Sequence, residues 1–466
     1  MNVGEVGFEL EAPNEAIETT RERAPFRAGF RRSLHKGRVQ AAALAIAAIA
    51  VEVGFKGLTV GAFGHAVLLA ASWWLGAFAV ERSLHTTRVA AGALGTVSLT
   101  VATGAAFASS LSYWLDSGVP RRLEIVLMAL LAFSLLYALE IAKVRFPAMR
   151  ANVLVVGGGK HTLDLLETLV LDPSQPFQVV GIVADTTAEA IAGVQVLGAI
   201  EDLDGVLESV APDLVVVAAD RGRPEIFRGL AERAALGFRF VGLPEFYEHA
   251  FGRVPIRGMT DAWFMSILHL YQRPYPRRAK RAFDITVALV GLMITAPLFP
   301  LIAALVWLDG RPVFYRQRRL GEYGKPFTII KFRSMLSNAE PDGAVWAMNA
   351  DPRITVIGQV LRKSRLDELP QLFNVLKGDM SIVGPRPERP EFLDRLDESV
   401  PFWSRRHLLR PGITGWAQLM SGYASDANAT EEKLAYDLWY LRHQSLMLDL
   451  VICCRTLPTL VLRTGR

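Results

Sequence analysis

Between Leu361 and Pro387 the chain reads LRKSRLDELPQLFNVLKGDMSIVGPRP, in which two adjacent carboxylates, Asp367 and Glu368, stand among arginines. An arginine guanidinium is a planar fork of donors that matches phosphate oxygens. Arg362, Arg365 and Arg386 supply such forks here and Arg353 lies just upstream, with Arg386 held between Pro385 and Pro387. Carboxylates grouped with arginines suit phosphoryl transfer, where Mg²⁺ would neutralise a diphosphate. Neighbouring helical residues point about 100° apart, so one acid can attack or bind metal while the other handles a proton. The plainer alternative is that Asp367 caps a helix and Glu368 is a solvated first-turn acid.

The elements that would position these residues can be read outward from them. Leu366, Leu369, Phe373 and Leu376 recur at helical spacing, Pro370 is acceptable only in a first turn and Gly378 reads as a stop. A short helix is therefore predicted to begin close to Asp367, at an N-terminus that favours anions. Upstream, the apolar run Ile285 to Leu308 would measure roughly 36 Å as one straight helix, enough to cross a bilayer. Pro297 and Pro300 interrupt it, and both flanks are basic: Arg277, Arg278, Lys280 and Arg281 before, Arg311, Arg316, Arg318 and Arg319 after. A helix that enters, breaks near Ala296-Pro297 and leaves on the same side satisfies both features.

The rest of the chain divides by texture. At 51% hydrophobic residues and a mean hydropathy of +0.26, it is too apolar for an ordinary soluble protein of 466 residues. Four apolar runs, about 39–55, 58–80, 89–115 and 125–142, each approach the length of a spanning helix and read as a four-helix transmembrane bundle (39–145). Seven Lys or Arg against one Glu between Arg21 and Arg38 mark residues 1–38 as a disordered, basic cytoplasmic N-terminus without a secretory signal. The net charge of +5 suits anionic lipids or phosphates, and the adjacent Cys453 and Cys454 suit a reducing compartment. Residues 150–265 alternate short β-rich runs (Asn152 to Val156, Val179 to Val183, Leu214 to Ala218, Phe238 to Leu243) with helical patterns, which gives a Rossmann-like α/β domain with a parallel sheet. Its Gly157-Gly158-Gly159-Lys160 turn could cradle phosphate. However, Thr162 stands where a dinucleotide fingerprint needs glycine, and only Asp185 is a candidate for the ribose. The tail, with Tyr436, Trp439, Tyr440 and the run from Leu446 to Leu462, suits helices lying at a membrane interface, with core packing as the alternative.

From about Lys280 onward the sequence resembles the bacterial sugar transferases that act as polyprenyl-phosphate hexose-1-phosphate transferases, whose catalytic unit is a mostly α monotopic phosphoglycosyl transferase domain. The resemblance rests on Lys280-Arg281-Ala282-Phe283-Asp284, Ala296-Pro297, Lys331-Phe332-Arg333-Ser334-Met335 and Asp351-Pro352-Arg353-Ile354-Thr355. It continues through Asp367 to Ser381, Val383-Gly384-Pro385-Arg386-Pro387, and Arg410-Pro411-Gly412-Ile413-Thr414-Gly415-Trp416. It implies a catalytic domain over 277–466 with a re-entrant helix at about 283–308 broken at Pro297. It also implies an enzyme in the bacterial inner membrane whose catalytic domain faces the cytoplasm. Asp367 would attack a UDP-sugar and hold the phosphosugar for undecaprenyl phosphate, with Mg²⁺ present, at the first membrane step of exopolysaccharide or capsule synthesis. Glu368 would act as acid/base or metal ligand. Arg362 and Arg386 would clamp phosphates, with Arg353, Arg410, Lys331 and Arg333 as further phosphate ligands. Glucose-1-phosphate is the expected cargo, with galactose or an N-acetylhexosamine as alternatives. Many relatives carry Ser where Ala296 stands. Expected partners are the two substrates, inner-membrane lipids and a second copy of the chain, and no nucleic acid.

Two readings of other classes compete. A membrane-tethered nucleotide sensor would use Gly157 to Gly159, but the intact Asp-Glu pair and Pro-Arg-Pro argue against a decayed C-terminal part. A transporter would need polar groups inside the four apolar runs, and these offer few.

Overall fold

The computed structural model describes residues 44–51, 97, 101–102, 105, 122–145, 150–171, 175–218, 223–233, 238–256, 275–336, 351–421 and 427–461. The chain divides into two compact units, Met1–Glu81 with Thr96–Phe246 and Arg82–Gly95 with Tyr247–Arg466.

In the first unit, helix α1 (Arg122–Arg145) covers the fourth apolar run. Its Met128, Ala132 and Leu136 share an apolar cluster with Leu44, Ala47, Ala48 and Val51 of the first run and with Val97 and Val101 of the third. Leu130 on α1 and Ile46 point outward, 60% and 61% exposed. The second run, most of the third and residues 1–38 lie outside the described residues, and so does most of the expected four-helix bundle. Among the described residues no single helix is both long and apolar enough to cross a membrane.

The sheet that follows has six strands in the order β3-β4-β2-β1-β5-β6. They are β1 (Ala151–Val156), β2 (Phe177–Val183), β3 (Ala190–Ile191), β4 (Val194–Gly198), β5 (Leu214–Val217) and β6 (Arg239–Gly242). All neighbours pair parallel except β3 with β4. Val153, Leu154, Val155 and Val156 are fully buried, which is why central β1 reads as an unbroken apolar run rather than an alternating one. Helix α2 (Lys160–Leu171) follows the glycine turn. A side chain at Gly158 would come within 3.0 Å of Ala184 Cβ, so the close approach of the turn to β2 explains that glycine. The two missing parts of the fingerprint have structural occupants. Buried Thr162 donates its hydroxyl to the Gly157 carbonyl at 2.9 Å, and Asp185 accepts the Ile200 N–H at 2.9 Å. Helices α3 (Leu203–Val210) and α4 (Arg223–Glu232) complete the α/β layers, and helix α5 (Leu243–Phe251) leads out of the sheet.

The second unit is mostly helical. Helix α6 (Arg277–Thr295) and helix α7 (Leu298–Leu308) form a pair bent by 67° at Ala296-Pro297, and together they meet the length and apolarity of a membrane segment. Pro297 removes a helix hydrogen bond, whereas Pro300 falls in the first turn of α7, where no donor is required. The Thr295 hydroxyl donates to the Gly291 carbonyl at 2.7 Å, so a hydroxyl reaches the break one residue before Ala296. Met293, Ile294, Leu301 and Leu308 are 72%, 68%, 58% and 73% exposed. Such an exposed apolar face suits lipid or a partner.

The bent pair packs against a second layer. That layer has an antiparallel hairpin of β7 (Phe314–Leu320) and β8 (Pro326–Phe332), and a parallel pair of β9 (Ser381–Val383) and β10 (Gly412–Thr414). Around these lie helices α8 (Val356–Lys363), α9 (Gln371–Lys377), α10 (Leu393–Ser399), α11 (Trp416–Met420), α12 (Ala427–His443) and α13 (Leu446–Val461). Tyr436, Trp439 and Tyr440 are buried with Trp403 and Trp416 in one core, which corrects the interfacial reading for these three residues, whereas Leu446, Met447 and Leu450 of α13 are exposed. Both indole N–H groups of Trp416 and Trp439 donate to backbone carbonyls, of Gly252 and Glu248, so these rings sit inside without an unmet donor.

Candidate active site

The acid pair sits in a 3-10 turn, Leu366–Glu368, between α8 and α9. Arg365 before it is left-handed at φ 53°, Pro370 opens α9, and Gly378 closes α9 at φ 100°. The expected helix and its stop are therefore present, but the helix starts four residues after Asp367. The sharp turn leaves Asp367 only 7% exposed. Two other segments converge on it. Strand β8 delivers Lys331, and the loop after β9 delivers Arg386, which is 42% exposed at the rim.

Secondary contacts fix both segments. Asn374 of α9 acts as a neighbouring strand for β8: its Oδ1 accepts the Ile330 N–H at 3.1 Å and its Nδ2 donates to the Thr328 carbonyl at 2.8 Å. That bridge sets the register that carries Lys331. The Pro-Arg-Pro loop is gripped through its carbonyls. Arg406 donates to that of Arg386 at 3.3 Å and Arg319 to that of Pro387 at 3.1 Å. Arg406 is itself buried against Asp437 at 2.7 Å. Gly384 opens the loop where a side chain would lie 2.2 Å from the Arg410 carbonyl oxygen, so only glycine fits.

The environment separates the two acids. Lys331 Nζ donates to Glu368 Oε1 at 3.1 Å, and Arg386 lies 3.7 Å from the same oxygen. Burial alone would push the Glu368 carboxyl up, but Lys331, Arg386 and Arg365 outweigh it and hold the group down near about 2. Among the described residues none makes a hydrogen bond or ion pair with the Asp367 carboxylate. Burial, reinforced by the negative charge of Glu368, pushes it up to about 6 against the opposing pull of Lys331, Arg362 and Arg386. Glu368 is thus a fixed anion at neutral pH and Asp367 a more basic carboxylate that is still mostly ionised. Chemistry that uses ionised Asp367 should lose rate as pH falls through about 6, because the proton stays on this carboxyl to a higher pH than on an ordinary aspartate. The kcat/KM profile checks this, and a profile flat down to pH 5 would contradict it.

The remaining sequence candidates are distributed more widely. Arg362, in the last turn of α8, acts on Asp367 electrostatically. Arg353 pairs bidentately with Asp351, at 2.7 and 2.5 Å. Arg333 is buried and donates to the carbonyls of Val306 and Arg311 at the end of α7, where helix carbonyls lack internal partners. Arg410 pairs with Glu322 at 2.9 Å and lines a separate cavity beside α6. Sequence reasoning missed Asn374, Arg406 and Asp437, whose partners are distant in sequence. For Mg²⁺, the donor set at the turn is two carboxylates, which matches an ion held by one or two carboxylates plus substrate phosphate oxygens. Among the described residues no group of three or more His, Cys, Asp or Glu could hold a metal without such help.

A model of the family described as bacterial sugar transferase matches residues 275–463. The exopolysaccharide production protein ExoY of Rhizobium meliloti is 42% identical over 209 residues, which cover 41% of this chain and 90% of that protein. The chain belongs to the bacterial sugar transferase family. Another similar protein is the UDP-N-acetylgalactosamine-undecaprenyl-phosphate N-acetylgalactosaminephosphotransferase of Aeromonas hydrophila, 42% identical over 241 residues. That match covers 51% of this chain but only 56% of the Aeromonas protein. The UDP-glucose:undecaprenyl-phosphate glucose-1-phosphate transferase of Caulobacter vibrioides is 38% identical over 195 residues, 40% of this chain and 73% of that protein. The bacterial sugar transferase match falls on the unit that holds the acid pair and the bent helices, and the six-stranded sheet precedes it.

Proposed function

We propose that this bacterial sugar transferase moves a hexose-1-phosphate from a UDP-sugar to undecaprenyl phosphate at the inner membrane, as an early step of exopolysaccharide or capsule synthesis. The observation that carries this reading is the asymmetry of the acid pair: Glu368 is held by two cations, while the buried Asp367 has no ion-pair partner among the described residues. An Asp367 carboxylate oxygen attacks the sugar-bearing phosphorus of the donor. The bond from that phosphorus to the bridging oxygen breaks, UMP leaves with the electron pair, and the phosphosugar remains on Asp367 as an acyl phosphate. A phosphate oxygen of undecaprenyl phosphate then attacks the same phosphorus, which frees the carboxylate and forms the lipid diphosphate sugar. Arg362 and Arg386 bind phosphate oxygens. Glu368, held ionised, keeps Lys331 and Arg386 aimed at the reacting phosphate, which favours positioning over proton transfer. Asp367 and Glu368 would hold Mg²⁺ together with donor phosphate oxygens, and the ion would neutralise the diphosphate.

Glucose is the first cargo to test. N-acetylgalactosamine is the second, favoured by the name of the Aeromonas relative. Purified protein with Mg²⁺, undecaprenyl phosphate and each of UDP-glucose, UDP-galactose, UDP-N-acetylglucosamine and UDP-N-acetylgalactosamine should release UMP with one donor preferred. No UMP from any of them would end this reading.

We further propose that α6 and α7 enter and leave the bilayer on the cytoplasmic side. Cysteines placed singly at Arg278 and Arg311 are expected to react with an impermeant maleimide from the same face of oriented vesicles. Labelling from opposite faces would replace the hairpin with a crossing.

A further inference from the structure

Beside the first two turns of α6 lies a cavity of about 660 Å³, lined neither by Asp367 nor by Glu368. Six cations line it, Arg277, Arg278, Lys280, Arg281, Lys377 and Arg410, against two carboxylates, Asp284 and Glu322. Part of that charge is committed. Lys280 bridges Asp284 at 3.2 Å and Asp449 at 2.8 Å, Arg281 caps the carbonyls of Val375 and Leu376, Arg410 and Arg277 pair with Glu322 at 2.9 and 3.8 Å, and Arg277 also donates to the Tyr323 hydroxyl. Lys377 sits at the surface with Asp379, and among the described residues Arg278 has no ion-pair partner. A buried donor that also lines the cavity, Gln444 Nε2, makes no hydrogen bond among the described residues. Excess cations beside an unspent donor describe a receptor for phosphate oxygens.

The position of the cavity names the source of that phosphate. It spans Arg277 to Ile285, where the apolar part of α6 begins, and the outward Leu289, Val290, Met293 and Ile294 follow within the next turns. Arg278 lies roughly 16 Å along the helix axis before Leu289. If the bent pair is embedded in lipid, the cavity opens at headgroup depth. We propose that it seats the phosphate of an acidic membrane phospholipid, separate from the transfer site. A phosphodiester headgroup without an ammonium brings negative charge and acceptor oxygens and adds no cation to those already present. The inference rests on the membrane placement proposed above and concerns a lipid that is neither donor nor acceptor in the transfer.

The test is native mass spectrometry of the detergent-solubilised full chain titrated with phosphatidylglycerol, with phosphatidylcholine and inorganic phosphate as comparison probes. The wild type should bind phosphatidylglycerol about tenfold more tightly than phosphatidylcholine, and Arg278→Glu with Lys377→Glu should abolish that preference. Both side chains are surface groups outside the transfer site, so UMP release in detergent should be unchanged. Arg278→Gln, a milder change, should weaken the preference severalfold and serves if the double variant fails to fold by circular dichroism. Equal binding of the two lipids, a preference that survives both variants, or displacement of phosphatidylglycerol by inorganic phosphate would each overturn the lipid site. Failure of the transferase reading would show separately, as absence of UMP release by a wild-type protein that still selects phosphatidylglycerol.

Discussion

Asp367→Asn is expected to lower UMP release by about 10⁴-fold while leaving the protein as stable as the wild type or more so. The size of the loss follows from removing a nucleophile that acts as one unit with its surroundings, where single knock-outs cost about 10⁴ to 10⁶ in rate. The sign of the stability change follows from the raised Asp367 pKa. A carboxyl that binds its proton more tightly folded than unfolded makes the folded state less stable as pH rises from the ordinary aspartate range through about 6. At neutral pH the ionised group is therefore a cost of folding, and Asn removes the charge at nearly the same volume. Thermal unfolding and UMP release measured on the same preparation check both halves. A variant that loses activity only in proportion to lost folded protein would mean that Asp367 is structural.

Lys331→Met is expected to behave in the opposite way. It leaves Glu368, whose side chain is 12% exposed, with Arg386 at 3.7 Å as its nearest remaining ion-pair partner. Removing one member of a buried pair costs about 3–5 kcal/mol, because the other charge stays buried. For a unit of this size that corresponds to a fall of roughly 10 °C in Tm. Activity should fall by about 10²-fold, the usual loss when one positioned donor leaves a charged site. Adding Glu368→Gln should restore most of the stability and little of the activity. The double-mutant cycle measures the coupling. Additive losses in Tm would show that Lys331 and Glu368 do not act as a pair.

Local rules made part of this site legible. Pro370 and Gly378 bracket a helix that runs Gln371–Lys377, and Pro297 marks a break that bends the apolar run by 67°. The runs assigned to β1, β2 and β5 were readable because a central parallel strand is apolar without interruption, and edge strand β6 because Phe238 to Leu243 is a short β-rich run. The short pair β3 and β4 was not, since Ala190–Ile191 and Val194–Gly198 carry no such run. The acid pair was legible as chemistry but not as geometry. That Asp367 and Glu368 occupy a tight turn depends on the left-handed Arg365, and nothing in the type of that residue announces it. Arginines were the hardest to rank. Arg353 and Arg386 were both candidates for phosphate, yet one grips Asp351 and the other reaches Glu368, because long side chains choose partners from the tertiary fold. The same holds for Lys280 and Asp449, which are 169 positions apart and meet at 2.8 Å beneath α6.

The most direct test of the central claim is the mass of the protein after mixing with its preferred UDP-sugar and Mg²⁺ in the absence of any lipid acceptor, with rapid quenching and peptide mapping. Transfer through Asp367 requires a phosphosugar adduct on the peptide that contains this residue, formed with an equivalent of UMP, absent in Asp367→Asn and discharged by undecaprenyl phosphate. UMP that appears only when the lipid acceptor is present, with no adduct at any time, would mean that donor and acceptor react directly and would contradict the covalent role of Asp367.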